Sequence, residues 1–284
     1  MRILVTGAGG YIGRYVVGAL CDRGADVIAA DFRTEGIDSR ATAVSRDIFS
    51  GETDLYQQFG CPDTCLHMAW RDGFVHDSDA HMSDLSKHYT FLRDMIDGGL
   101  KHLAVMGTMH EVGYWEGAID EDTPCNPQSM YGIAKDALRR SMTLIAGQNG
   151  VCLQWLRAYY IYGDDLRNHS IFTKICQAEE AGQETFPFTS GKNLYDFITV
   201  DELARQISAC VTQTETAGII NCCTGRPVSL AKKVEGFIKE RGYSIRLDYG
   251  AFPDRPYDSP GVWGDAEKIQ SIIKISEAEG REKR

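Results

Sequence analysis

The chain has 284 residues, 43% of them hydrophobic and 25% charged, with a formal net charge of -10. This composition suits one large globular domain or two coupled ones and excludes collagen-like, coiled-coil and disordered chains. No apolar run of about 18 residues is present, the opening MRILVTGAGG does not read as a signal peptide, and no basic stripe offsets the acidity. The expectation is a soluble cytoplasmic protein that engages neither membrane nor nucleic acid.

In chain order, RILVTG reads as a strand, residues 13–23 as a helix and ADVIAAD as a second strand. TCLHMAW, a helix over residues 83–97, and the strand HLAVMGT follow. Then come a helix over residues 131–147 and the strand VCLQWLRAYYIYG. Strands alternating with helices predict parallel strands with crossover helices. Later segments are mixed: a helix over residues 170–181, a strand-to-helix segment FITVDELARQISACV, the strand GIINCCTG, the amphipathic VSLAKKVEGFIKERGY and the alternating SIRLDYG. The predicted fold is α/β, a Rossmann-type doubly wound parallel sheet with a smaller C-terminal α/β substrate lobe. The sheet domain is assigned to residues 1–160 with returns near 194–224, and the lobe to 161–193 and 225–275. The charged 276–284 reads as a flexible tail.

Nine cysteines form no C-x-x-C pair, and several sit in apolar runs such as VCLQWL and IINCC, so they are expected as reduced core residues. Seven histidines without H-x-x-x-H or H-E-x-x-H spacing predict no metal site.

Thr6-Gly7-Ala8-Gly9-Gly10-Tyr11-Ile12-Gly13 lies between the first strand and helix. Glycines there permit a tight turn and close backbone approach to a pyrophosphate, and the helix N-terminus offers N–H groups to the anion. Gly7, Gly10, Tyr11, Ile12 and Gly13 are therefore candidate cofactor contacts. Asp31 ends the second strand, where a carboxylate can accept hydrogen bonds from ribose hydroxyls. Asp31 would repel a 2′-phosphate and favours NAD; Arg33 could pair with that phosphate and keeps NADP open. Asp47, with Ile48 beside it, is a candidate for the adenine edge, the alternative being an ordinary loop residue.

Tyr131 and Lys135, four apart at the start of a helix, share one face. A phenol titrates too high to exchange protons easily at neutral pH, and a nearby cation lowers it. Tyr131 is thus the candidate general acid/base, with Lys135 as its electrostatic partner and a second grip on cofactor hydroxyls.

With these residues in view, the chain resembles the extended short-chain dehydrogenase/reductase family, also called the NAD-dependent epimerase/dehydratase family, over nearly its whole length. T-G-x-x-G-x-x-G matches Gly7, Gly10 and Gly13. H-L-A-A corresponds to His67-Met68-Ala69-Trp70, implying Met68, Ala69 and Trp70 beside the cofactor. The family's S-S-S-x-x-V-Y-G corresponds to the segment from Met106 to Gly113, which makes Thr108 the hydroxyl partner. IDEDTPCNPQSMYGIAK, LRAYYIYG, YDFITVDELA, NCCTGRPVSL and RPYD resemble further family segments.

The resemblance implies hydride exchange between a nicotinamide and a sugar carbon of a nucleotide-diphosphate sugar. It implies Thr108, Tyr131 and Lys135 as catalytic residues, and a homodimer formed through two helices of each copy. The substrate diphosphate needs a cation; Arg255 is the first candidate, with Arg157 and Arg226 behind it. Met109 and His110 stand where 4,6-dehydratases carry Asp-Glu, which disfavours dehydration, and Glu111 is not assigned that role. Tyr160 and Tyr195 replace the family's usual Asn and Arg on the substrate side. His110 and Tyr160 are therefore candidate substrate contacts, while His67, Trp70 and Trp115 either line the sugar pocket or pack structurally. The leading reading is a 4-keto-6-deoxy nucleotide-sugar reductase or dehydrogenase. The alternatives are an epimerase with tightly held NAD, and a non-catalytic dinucleotide sensor, which the intact Thr108, Tyr131 and Lys135 oppose.

Overall fold

Strands and helices alternate through the first half of the chain in the computed structural model, which describes residues 1–163, 170–254 and 259–282. They are β1 (Arg2–Thr6), α1 (Tyr11–Asp22), β2 (Asp26–Asp31), β3 (Thr42–Ser45), α2 (Leu55–Gln58), β4 (Thr64–His67), α3 (Ala80–Asp97), β5 (His102–Thr108), β6 (Gly117–Ile119), α4 (Met130–Asn149) and β7 (Cys152–Ala158). The strand Gly218–Cys222 returns from the second half to the edge beside β7.

The resulting seven-stranded sheet runs Gly218–Cys222, β7, β5, β4, β1, β2, β3, and every pairing in it is parallel. All seven residues of β5 and the last four of β1 are buried, as expected of strands covered on both faces. Side chains alternate between the two faces. Ile3 and Val5 join a core with Val17 of α1 and Leu203 and Ile207 of the helix Val200–Val211. Leu4 joins the opposite core with Phe91 and Met95 of α3 and Leu138 and Met142 of α4.

A third apolar cluster, including Phe172, Ile175, Phe188, Val234 and Phe237, builds the smaller lobe. Its helices are Ile171–Glu180 and Leu230–Arg241, and its parallel strands are Thr185–Phe188 and Arg246–Tyr249. A four-stranded sheet made of Val228–Ser229, Leu194–Tyr195, Gly261–Gly264 and β6 joins late segments to the first half. Asp196 fastens this junction. Its buried carboxylate accepts the N–H groups of Thr224 at 2.9 Å, Gly225 at 2.8 Å and Gly264 at 3.2 Å.

The C-terminal segment differs from the expected loose tail, because a helix runs over Glu267–Glu282. Ile269 and Ile272 anchor it in the main core, and Glu277 pairs with Arg205 at 3.0 Å, so the helix continues through good helix formers. All nine cysteines are unpaired; Cys65, Cys176, Cys210, Cys222 and Cys223 are buried, while Cys61 is exposed. Among the described residues, no helix is long and apolar enough to cross a membrane.

Candidate active site

The chain leaves β1 toward β2 on one side, while β4 leads to β5 on the other, so the ends of β1 and β4 flank the topological switch point where open sheets form a ligand crevice. Thr6 and His67 terminate these two strands, and their side chains are joined by a 2.8 Å hydrogen bond between Thr6 Oγ1 and His67 Nδ1. Gly7 follows with φ of 71°, a left-handed conformation, and a Cβ there would lie 2.6 Å from the backbone nitrogen of Ala69. Larger residues would fill this cradle.

Tyr11, Ile12 and Gly13 open α1, whose N-cap, Gly10, supplies no side-chain hydrogen bond. The first turn is thus left uncapped by the chain and suited to an anion. The Asp31 carboxylate is held beside the loop by the N–H groups of Gly9 at 3.0 Å and Arg33 at 3.1 Å. The Arg33 side chain is exposed, and its carbonyl abuts Gly9. A cradle of glycines, an uncapped helix start and a fixed carboxylate fit the diphosphate and a ribose of NAD. Asp47 is exposed and accepts the Phe49 N–H at 2.9 Å, which closes its own turn, while Ile48 is buried in the α3 and α4 core. The N–H groups of Met68 and Ala69 approach Thr6 Oγ1 at 3.3 and 3.4 Å, which sets the end of β4 against the glycine loop.

α4 begins at Ser129, whose side chain accepts the Gly132 N–H, and ends at Gly150 in the left-handed region. That start puts Tyr131 in the first turn and Lys135 one turn later. Lys135 is buried; its Nζ donates to the Met106 carbonyl at 2.7 Å and stands 3.8 Å from the centroid of the Trp70 ring. Thr108 ends β5 and caps the short turn Met109–Glu111. Its hydroxyl accepts the His110 N–H at 3.3 Å, and the Thr108 side chain favours the ionised form of the Tyr131 phenol.

The sequence suggested an ammonium lowering the phenol. In the structure burial dominates and pushes Tyr131 upward, with the buried Glu111 carboxylate adding to it and the Thr108 side chain opposing. Burial also lowers the Lys135 amine to about 7, against the pull of Glu111. The amine lies over Trp70, 5.9 Å from the Tyr131 ring centroid.

Five of the seven histidines gather around these groups. His67 is 1% exposed and bridges Thr6 to His88, its Nε2 lying 2.9 Å from His88 Nδ1, so it braces β1 against α3 and does not line a sugar pocket. Trp70 stacks on His88 at 4.3 Å and donates its indole N–H to His81 at 3.0 Å. His76 and His110 flank Tyr131, with ring centroids at 5.4 and 6.2 Å. His110, a candidate substrate contact, thus lies beside the candidate acid/base. His76 was not singled out in the sequence, because it sits in a polar loop segment without a motif.

One arginine differs from its expected part. Arg157 and Glu111 are both fully buried, and Arg157 donates to the Glu111 carboxylate at 3.3 Å, so neither reaches a substrate diphosphate or a leaving group. Glu111 also accepts the Thr108 N–H and the Trp155 indole N–H, each at 2.8 Å, which turns it into the core. Arg226 is exposed. Arg255 lies outside the described residues. Tyr160 packs on Tyr195 at 4.3 Å where the smaller lobe meets the sheet, and Trp115 donates to the Ala118 carbonyl.

A model of the NAD dependent epimerase/dehydratase family matches residues 3–223. The chain belongs to that family. Membership makes it an NAD-dependent enzyme of the short-chain dehydrogenase/reductase type, with NAD the cofactor that the cradle fits. A dTDP-6-deoxy-L-talose 4-dehydrogenase (NAD(+)) from Aggregatibacter actinomycetemcomitans is 47% identical over 272 residues, spanning 93% of this chain and 99% of that protein. A UDP-glucose 4-epimerase from Azospirillum brasilense is 24% identical, spanning 96% of this chain and 86% of that protein. In fold, the chain is similar to the UDP-glucose 4-epimerase of Thermotoga maritima, with a TM-score of 0.81, 23% identity and coverage of 95% and 92% of the two chains.

Proposed function

We propose that this enzyme is a 4-dehydrogenase/reductase of a nucleotide-diphosphate-linked 6-deoxy sugar, a dTDP-linked hexose being the first substrate class to test. The observation that carries the reading is the 47% identity, over nearly the whole chain, with a relative named for that reaction. The convergence of Thr108, Tyr131 and Lys135 beside the NAD cradle supports it.

When bound, NAD supplies the hydride acceptor or, reduced, the donor at carbon 4 of the sugar. Tyr131 handles the proton on the adjoining oxygen. Burial keeps its phenol protonated, which suits donation to the oxygen in the reducing direction. In the oxidising direction the deprotonated phenolate form of Tyr131 takes the proton from the sugar hydroxyl and becomes the neutral phenol, and a protonated Lys135 amine stabilises the phenolate until that transfer. An amine near 7 is present in both forms at neutral pH and can adapt to either direction. Thr108 orients the Tyr131 hydroxyl and donates to the sugar oxygen. Met68, Ala69 and Trp70 flank the nicotinamide end of the cleft, while Asp31 takes the adenosine ribose. His110 and Tyr160 contact the sugar portion, and Arg255 pairs with the diphosphate.

The enzyme also acts as a homodimer in this reading. Met82 and Tyr89 on α3, with Ile133 and Leu144 on α4, are exposed apolar residues on two helices that pack together; Leu144 is 67% exposed. Pairing these helices with those of a second copy would cover them. Purified enzyme with NADH and a panel of 4-keto-6-deoxy nucleotide sugars tests the reaction: oxidation of NADH with at least one is expected, and none across the panel would end the reading. An epimerase would turn over sugar without net change in NADH.

A further inference from the structure

Tyr131 is enclosed by rings, and one of them lies parallel to it. The His76 imidazole stacks on the phenol with an interplanar angle of 15° and centroids 5.4 Å apart. The contact is reinforced through the backbone, because the Tyr131 N–H donates to the His76 carbonyl at 2.8 Å. His110 completes the arrangement: its ring meets His76 at 4.3 Å, and its N–H bonds the Thr108 hydroxyl at 3.3 Å. Two loops, one after β4 and one after β5, are thus each tied by the backbone to a candidate catalytic residue, and their imidazoles meet beside the phenol.

The geometry points to His76 as a positioning residue that fixes the ring plane of Tyr131, and with it the direction of the hydroxyl toward Thr108. The inference rests on Tyr131 being the acid/base group of the proposed reaction. Rotation about the second side-chain torsion of a phenol is softly restrained and leaves the oxygen on its axis, but the O–H bond prefers the ring plane, so the plane that the packed rings impose sets the direction of the O–H bond. Trp70 meets the ring edge-on at 70° and His81 at 49°, so His76 supplies the near-parallel face. Burial lowers the proton affinity of both His76 and His110, and neutral imidazoles stack on a phenol without bringing a cation to it. Proton transfer requires hydrogen-bond alignment in the reacting complex, and small misplacement of a reacting group slows turnover steeply.

The test compares His76→Ala with His76→Phe in steady-state kinetics, with NADH affinity followed by fluorescence titration. His76→Ala is expected to lower kcat about tenfold or more, leaving KM for the sugar and NADH affinity within about twofold. His76→Phe, which keeps an aromatic plane without ring nitrogens, is expected to recover most of kcat. If His76→Ala does not fold, His76→Leu, bulky but not planar, takes its place. A kcat for the Ala or Leu variant within about twofold of wild type would overturn the assignment. So would a Phe variant as slow as the Ala variant with a raised KM, which would make the imidazole a substrate contact. Tyr131→Phe is run beside them. Wild-type turnover in that variant removes the acid/base reading itself, whereas an inactive Tyr131→Phe with an unaffected His76→Ala removes the positioning role alone.

Discussion

The Lys135 amine rests on the face of the Trp70 indole, 3.8 Å from its centroid, where the related family pattern has an alanine. The aromatic face and the Met106 carbonyl are its partners in a buried site, and they compensate only part of the cost of desolvating a cation.

This burial makes stability depend on pH. Lys135 titrates at about 7 in the fold, against 10.5 ordinarily. Below about pH 7 both states carry the proton and the fold bears the full cost of a buried cation. Between the two values the unfolded chain holds more protons, so stability rises with pH, and above the higher value the cost is gone. Urea unfolding of wild type and Lys135→Met between about pH 6.5 and 9.5 should show wild type gaining more than about 1 kcal/mol relative to the variant. Parallel profiles would contradict this.

Glu111 and Arg157 form a fully buried ion pair, each 0% exposed. Glu111→Gln keeps the shape and leaves a buried guanidinium without its carboxylate, for which a loss of about 3 kcal/mol or more is expected. Urea denaturation measures it. A loss below about 1 kcal/mol would mean that the Asp120 carbonyl, which accepts from Arg157 at 3.3 Å, or water carries the compensation.

Asp31 is the proposed determinant of cofactor choice. Replacing it with Ser removes the carboxylate that accepts the Gly9 and Arg33 N–H groups beside the glycine loop and leaves the exposed Arg33 guanidinium there. NADH affinity should fall about tenfold, with a smaller fall or a gain for NADPH, both read by fluorescence titration. An unchanged ratio between the two would contradict the placement of Asp31 at the ribose.

The exposed stripe on α3 and α4 gives a fourth expectation. Ile133→Glu combined with Leu144→Glu should convert a dimer to a monomer in sedimentation velocity, and the monomer should remain folded, because both side chains are exposed in the single chain. A wild type that sediments as a monomer, or a variant that remains dimeric, would contradict dimerisation through these helices.

The central sheet was legible because its strands are continuous apolar runs and its helices carry clear starts, such as Ser129 before α4. The glycine loop and the Tyr131–Lys135 spacing were legible for a similar reason: their chemistry is local in sequence. What escaped depends on distant partners. β6 and Gly261–Gly264 are three and four residues long and pair across about half of the chain, so no local pattern marks them. Arg157 looks like any surface arginine until Glu111, 46 residues away, is folded beside it. His67 and His76 take their parts from what the fold packs against them, one bonded to Thr6 at the end of β1 and the other stacked on the phenol. The helix at the C-terminus was hidden by its charged composition, although Ile269 and Ile272 anchor it.

Incubating the purified enzyme with NAD and dTDP-6-deoxy-L-talose, and following NADH absorbance while the sugar product is identified, tests the central assignment most directly. The predicted result is one NADH formed per 4-keto sugar, with Tyr131→Phe binding NAD normally but turning over at least about a hundredfold more slowly. Sugar conversion without NADH, or a Tyr131→Phe enzyme as fast as wild type, would contradict it.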